Sequence, residues 1–257
     1  MARRVGTRPG GGGNATTLSY GALAADTVLA MRDRWAALLV LALLAASALC
    51  LGTLELRIHR TGDPYYRFLL WNLFLAWVPL VFAIAAFARA HRRADLLVVV
   101  LLLLWLLFFP NAPYVLTDFI HLSERPSAPL WYDALMLSAF AWTALLLGFA
   151  SLFLVQLIVQ RVAGVVWSWL VVVEALALAS FGVYLGRFMR FNSWDALLRP
   201  RRIGNVIANQ LENPFRHPRI AVALVALTAF LLVGYAVLYA FAGLRLEPER
   251  ERRPWTD

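Results

Sequence analysis

Apolar residues in this chain come in long unbroken runs, and polar residues are confined to the stretches between them. Six runs stand out, at approximately 35–54, 68–88, 95–110, 131–158, 165–186 and 219–243. A helix crossing a bilayer needs about 20 apolar residues, within a range of roughly 17–25. Each run therefore predicts one transmembrane helix. The third run is short and predicts little tilt, whereas the fourth is long and predicts a tilted or protruding helix. Pro79 inside the second run predicts a kink, which neighbouring helices tolerate in lipid. The fold class that follows is all-α, a polytopic transmembrane helix bundle of about six spans with short interfacial helices on one face. Residues 1–30 are rich in Gly, Thr and Arg and read as a flexible cytoplasmic tail. Residues 31–244 form the transmembrane domain, and 245–257 read as a charged, flexible C-terminal tail. The halves of the chain do not correspond, so no inverted repeat is expected.

Composition supports the membrane class. Hydrophobic residues fill 61% of 257 positions and the mean hydropathy is +0.69, against roughly 45–50% apolar in soluble domains. The formal net charge is +9, and all 24 basic residues are arginine. In a soluble protein that charge would point to nucleic acid. Here the arginines flank apolar runs, so the expected partner is the lipid bilayer, anionic headgroups included. Cys50 is the only cysteine, which excludes disulfides and multi-cysteine metal sites within one chain. No metal or cofactor is expected. Leu49 stands where a lipoprotein signal needs a small residue, and Arg3-Arg4 lies too far from the apolar core for a twin-arginine signal.

Arginine asymmetry sets the orientation. Thirteen arginines fall on the N-terminal side of the bundle and eleven on the other, seven of the eleven in the 187–219 stretch. Setting that stretch aside favours a cytoplasmic N-terminus. The arginine-rich 187–219 stretch then lies on the outer face and calls for a local reason.

Two polar segments offer chemistry. In the first, Phe108 to Leu122, Pro110 and Pro113 should end the third span. Asn111 suits the N-cap of a new helix, with Pro113 in its first turn. At 100° per residue, Tyr114, Asp118 and His121 share one side with Thr117 beside them. The spacing predicts a short amphipathic helix at the membrane boundary. Asp118 and His121, three residues apart, would pair as acid and base or supply half a metal site. Two ligands are too few to predict a metal. The plainer reading is an interfacial helix with a wet polar face.

The second segment, Gly182 to Asp195, closes the fifth span. Ala175, Ala179, Gly182 and Gly186 fall within about 60° of arc, a small-residue stripe that lets another helix approach. Arg187 and Arg190 follow among aromatic neighbours. They anchor to headgroups, or they clamp an anion in a guanidinium fork. Asn192, Ser193 and Asp195 start a helix or line a pocket, and Arg201–Leu211 suggests a second interfacial helix. Two spans separate the two segments, so they share a membrane face with Glu55, His59 and Asn72. Glu174 is different, because it lies mid-span, where an ionised acid costs about 2.5 kcal/mol or more. It acts as a proton-responsive group, or it sits protonated and bonded to Thr143, Ser47 or a backbone carbonyl.

The strings Pro110-Asn111-Ala112-Pro113-Tyr114, Thr117-Asp118, His121-Leu122, Gly186-Arg187-Phe188, Arg190 and Asn192-Ser193-Trp194-Asp195 resemble the signature segments of a bacterial membrane-protein family. That family is catalogued as domain of unknown function 1361. Trp71-Asn72-Leu73-Phe74-Leu75-Ala76-Trp77, followed by Pro79, is similar to its opening segment. The resemblance covers roughly residues 65–200, and Phe191 stands where the family often has Trp. It implies a polytopic inner-membrane protein and groups Asn72, Asn111, Asp118, His121, Arg187, Arg190, Asn192 and Asp195 without assigning roles.

Three functions fit these residues. In the first, a site on the non-cytoplasmic face binds or helps transport an anion or lipid headgroup. Asn72, Asn111, Tyr114, Arg187, Arg190, Asn192 and Asp195 contribute to it, and Glu174 acts deeper in the membrane. In the second, a membrane-embedded enzyme works on a lipid-linked or envelope substrate, with Asp118 and His121 catalytic. No nucleophile motif or phosphate loop accompanies them. In the third, the chain is a structural or assembly subunit.

Overall fold

The computed structural model describes residues 14–92, 95–123, 128–189, 191, 201 and 218–244. Helix α1 spans Asn14–Thr61, α2 Phe68–Ala90, α3 Leu96–Phe108, α4 Asn111–Tyr114, α5 Leu130–Ala163, α6 Val165–Met189 and α7 Pro218–Leu244. Two 3₁₀ turns, Tyr65–Arg67 and Val115–His121, complete the described elements. No strand occurs among the described residues. Among the described residues, six segments are long and apolar enough to cross a membrane: Ala36–Thr61, Tyr65–Ala90, Leu96–His121, Leu130–Ala163, Val165–Met189 and Ile220–Gly243. The protein is an all-α, multi-pass membrane bundle.

The chain divides into two units, Met1–Ala45 and Ala46–Asp257. The first holds the N-terminal part of α1, which begins at Asn14, inside the segment read from sequence as a tail. Leu38, Leu39, Val40, Leu41 and Leu44 are exposed there, as lipid-facing side chains should be. The second unit contains the rest of α1 and everything after it.

Within the second unit α5 is the most buried span. It packs against α2 and α6, and α6 also packs against α7. The core joins Trp105, Phe109, Leu145, Phe149, Leu152, Leu176, Leu231 and Tyr235. Lipid removes most of the hydrophobic drive between helices, so close packing and hydrogen bonds must hold the bundle. The indole N–H of Trp105 donates to Ser151 Oγ at 3.0 Å, and that of Trp77 to Ser47 Oγ at 3.1 Å. Tyr235 donates its hydroxyl proton to Gln156 Oε1. Pro79 is buried inside α2.

Gly164, at φ +89°, turns the chain from α5 directly into α6, a conformation only glycine adopts without strain. At the same end Asp95 caps α3 and accepts from Arg89 Nε at 3.0 Å. The hydrogen bond from Arg89 holds the Asp95 carboxyl below the usual carboxylate range.

The sequence expectations need two corrections near the other end. The first apolar run continues as helix to Thr61. The 111–121 segment is also not an amphipathic α-helix lying on the boundary. It is one α-turn followed by a 3₁₀ helix, and it packs against α2, α5 and α6. Ala112, Pro113, Val115 and Asp118 are buried. Two prolines in four residues remove the N–H groups an α-helix needs, so the chain tightens instead of continuing. The helix expected over 201–211 lies outside the described residues, apart from Arg201.

Candidate functional site

The turn after α3 is seated by small residues. A Cβ added to Gly182 would lie 2.6 Å from Pro110 Cγ, and one added to Gly148 would lie 2.8 Å from Ala112 Cβ. One added to Gly186 would meet the Tyr114 ring at 3.1 Å. Ala175 and Ala179 on the same stripe are buried. The stripe in α6 therefore receives the 110–114 turn over its last two members.

Docked there, the 3₁₀ segment repeats every three residues. That repeat aligns Tyr114 with Thr117, and Asp118 with His121. Both pairs meet Arg187 at the end of α6, where the helix dipole favours a cation. Arg187 Nε donates to Thr117 Oγ1 at 2.8 Å, and Nη2 to Asp118 Oδ1 at 2.5 Å. Nη1 lies 3.2 Å from His121 Nε2. The guanidinium carbon stands 4.6 Å from the centre of the Tyr114 ring, close enough for a cation–π contact. Thr117 in turn donates to Tyr114 O at 2.6 Å.

Asp118 is 1% exposed and is held from two sides. Asn72 Nδ2 of α2 donates to its Oδ2 at 2.7 Å, opposite the bond from Arg187. An ionised carboxylate so deeply buried needs both a counter-charge and hydrogen bonds, and it has them.

Arginine only donates, so His121 Nε2 accepts from it, which places the ring proton on Nδ1. Nδ1 then donates to the Tyr65 hydroxyl oxygen, 3.2 Å away. The tautomer follows from the bonding. Arg187 lies between Asp118 and His121, and both carboxylate oxygens of Asp118 are engaged by other groups. The acid–base pair expected from their spacing is therefore replaced by an arginine-centred cluster.

Of the residues singled out in the sequence, Asn72, Tyr114, Asp118, His121 and Arg187 come together. Asn111 does not cap a helix: Pro110 occupies the N-cap, and the Asn111 amide donates to Phe108 O at 2.7 Å. Glu174 is exposed on the outward side of α6. Thr143 instead meets Cys50 at 3.4 Å, and Ser47 meets Trp77. Arg190, Asn192 and Asp195 lie outside the described residues.

A second charged cluster was missed. Arg57 is 1% exposed and Asp133 is equally buried. Arg57 Nε donates to Asp133 Oδ1 at 2.7 Å and Nη2 to Oδ2 at 3.2 Å, a two-pronged pairing. Nη1 donates to Asp63 O at 3.1 Å. The Tyr66 ring lies under the guanidinium, 4.7 Å from its carbon, and the Tyr66 hydroxyl donates to His121 O at 3.0 Å. Tyr65 and Tyr66 thus join the two arginine clusters. A sequence signal did exist. Ser47, Cys50, Leu54 and Arg57 follow the helical spacing of one inward face, so Arg57 continues the buried stripe instead of starting a loop.

The family model described as Protein of unknown function (DUF1361) matches residues 71–234. That span includes Asn72, the 108–121 turn and Arg187. No curated protein and no solved structure matches.

Proposed function

From the premise that the chain belongs to this family of unknown function, we propose that it binds a phosphate-bearing anion at Arg187. The anion is a lipid headgroup or a small solute, taken up at one boundary of the bilayer. In this reading the protein resides in a bacterial inner membrane with its N-terminus in the cytoplasm. The Arg187 end of the bundle then faces away from the cytoplasm.

One observation carries the reading. Three of the five guanidinium N–H groups of Arg187 are committed to Thr117, Asp118 and His121. The side chain is 13% exposed, whereas that of Asp118 is 2% exposed. Among the described residues two N–H donors remain for an anion, and a guanidinium fork fits phosphate oxygens. Asp118 is the resident counter-ion that such an anion competes with. Asn72 holds the freed carboxylate, and the Tyr114 ring keeps the guanidinium in plane.

The test uses the purified full chain in detergent with two probes, inorganic phosphate and a phosphatidylglycerol. Binding is read as retained lipid mass and as a rise in melting temperature. Arg187→Lys keeps a point charge and loses the fork, so retention should fall by about tenfold, the loss of one charge-assisted hydrogen bond. A response to phosphatidylglycerol alone assigns a headgroup, and a response to both probes assigns a simple anion site. Equal retention by the wild type and Arg187→Lys defeats the reading.

A further inference from the structure

Away from the Arg187 cluster, α1 and the start of α2 leave a groove of about 630 Å³, within the roughly 300–1,000 Å³ of ligand pockets. Leu51, Gly52, Leu54, Glu55 and Ile58 line it from α1, and Arg67 and Leu70 from the facing side. Leu54 is buried and forms the floor, while Leu51 and Leu70 are exposed walls. Gly52 has nothing within 4 Å of the position its Cβ would take, so the groove is open there.

The groove has a direction. Arg67 sits at the head of α2, where the chain enters the bilayer. Glu55 lies six residues before the end of α1, roughly 9 Å along that helix from Thr61. Leu51 and Gly52 lie farther still along it. Both charged side chains are exposed to the groove, and no ion pair between them occurs among the described residues. The groove therefore has a cation and an anion in its lining, next to an apolar trough.

We propose that this groove binds a phospholipid whose headgroup carries a primary ammonium. The phosphate sits against the Arg67 fork, the ammonium donates to Glu55, and an acyl chain runs along Leu51, Leu54 and Leu70. The occupant is a lipid because the apolar walls continue toward the bilayer centre from the charged mouth. It is zwitterionic because the mouth offers one charge of each sign. A quaternary ammonium has no N–H to donate, so Glu55 discriminates against it.

Native mass spectrometry of the full chain, titrated with phosphatidylethanolamine, phosphatidylcholine and phosphatidylglycerol, tests this. The ethanolamine lipid should be retained about tenfold over the choline lipid, the value of one charge-assisted hydrogen bond. Glu55→Gln should abolish that ratio while phospholipid binding persists. Gly52→Leu builds from a Cβ position that is open and should displace the lipid from a folded protein. Arg187→Lys should leave the ratio intact, which separates this groove from the Arg187 site. In the Arg187→Lys background, equal retention of the three lipids, preference for phosphatidylglycerol, or an unchanged ratio on adding Glu55→Gln would each overturn the proposal.

Discussion

Asp118 and Arg187 depend on each other more than either contributes alone. Taking an ion pair out of water costs several kcal/mol per ion, and good geometry only restores the balance. Removing one partner leaves the other buried and uncompensated. Asp118→Asn should therefore lower the stability of the purified protein by about 3–5 kcal/mol, read as a shift in the denaturant or thermal midpoint in detergent. The double variant Asp118→Asn/Arg187→Gln should be destabilised less than the sum of the two single changes. Strict additivity would mean that the two side chains are energetically separate despite their bond. The same logic covers Arg57 and Asp133, whose pairing was not read from the sequence. Arg57 looks like one more flanking arginine until its helical phase is set against Ser47, Cys50 and Leu54. Asp133 gives less warning, because nothing in its neighbourhood says what would neutralise it.

Elements were the most legible level. Unbroken apolar runs impose helices, since only intrachain hydrogen bonds can satisfy a backbone in lipid. All six spans and the break at Pro110 follow from that constraint. The form of the chain after the break did not follow. Helical periodicity put Tyr114, Asp118 and His121 on one face, and the three-residue repeat of the 3₁₀ turn brings Asp118 and His121 together by a different geometry. The segment also turned inward. The small-residue stripe that receives it was visible, but a stripe says only that something approaches closely, not what does. The Gly182 contact now identifies the partner. Gly182→Ala forces a methyl group against the rigid Pro110 ring and should destabilise the protein by about 1–3 kcal/mol. An alanine at exposed Gly52 should be neutral or slightly stabilising in the same melting assay. Equal effects at the two positions would contradict the seating of the turn on α6. Glu174 marks the limit of reading by element. Mid-span position announced an acid worth notice, and helical phase alone would have placed it on the outward side, away from Ala175 and Ala179.

At the scale of the whole molecule, the helix order places the end of α2 and the turn after α3 on opposite sides of the bilayer. Cysteines introduced at His91 and at Ser123 should react with a membrane-impermeant maleimide from opposite sides. Native Cys50 is fully buried and should stay silent in intact membranes. Labelling of both introduced cysteines from the same side would refute the six-span arrangement. The shortness of α3 has a consequence for the bilayer itself. Its 13 residues rise only about 20 Å at 1.5 Å each, against a hydrocarbon slab of about 30 Å. The remaining depth is crossed by a compact polar turn, with Phe119 and Ile120 outermost. With that turn the third span runs from Leu96 to His121, 26 residues, and is long and apolar enough to cross. The span is completed by the turn that carries Thr117, Asp118 and His121, so any thinning of the bilayer beside α3 would be felt first at Arg187, and in the proposed reading it would bring phosphates toward the guanidinium without the protein having to move.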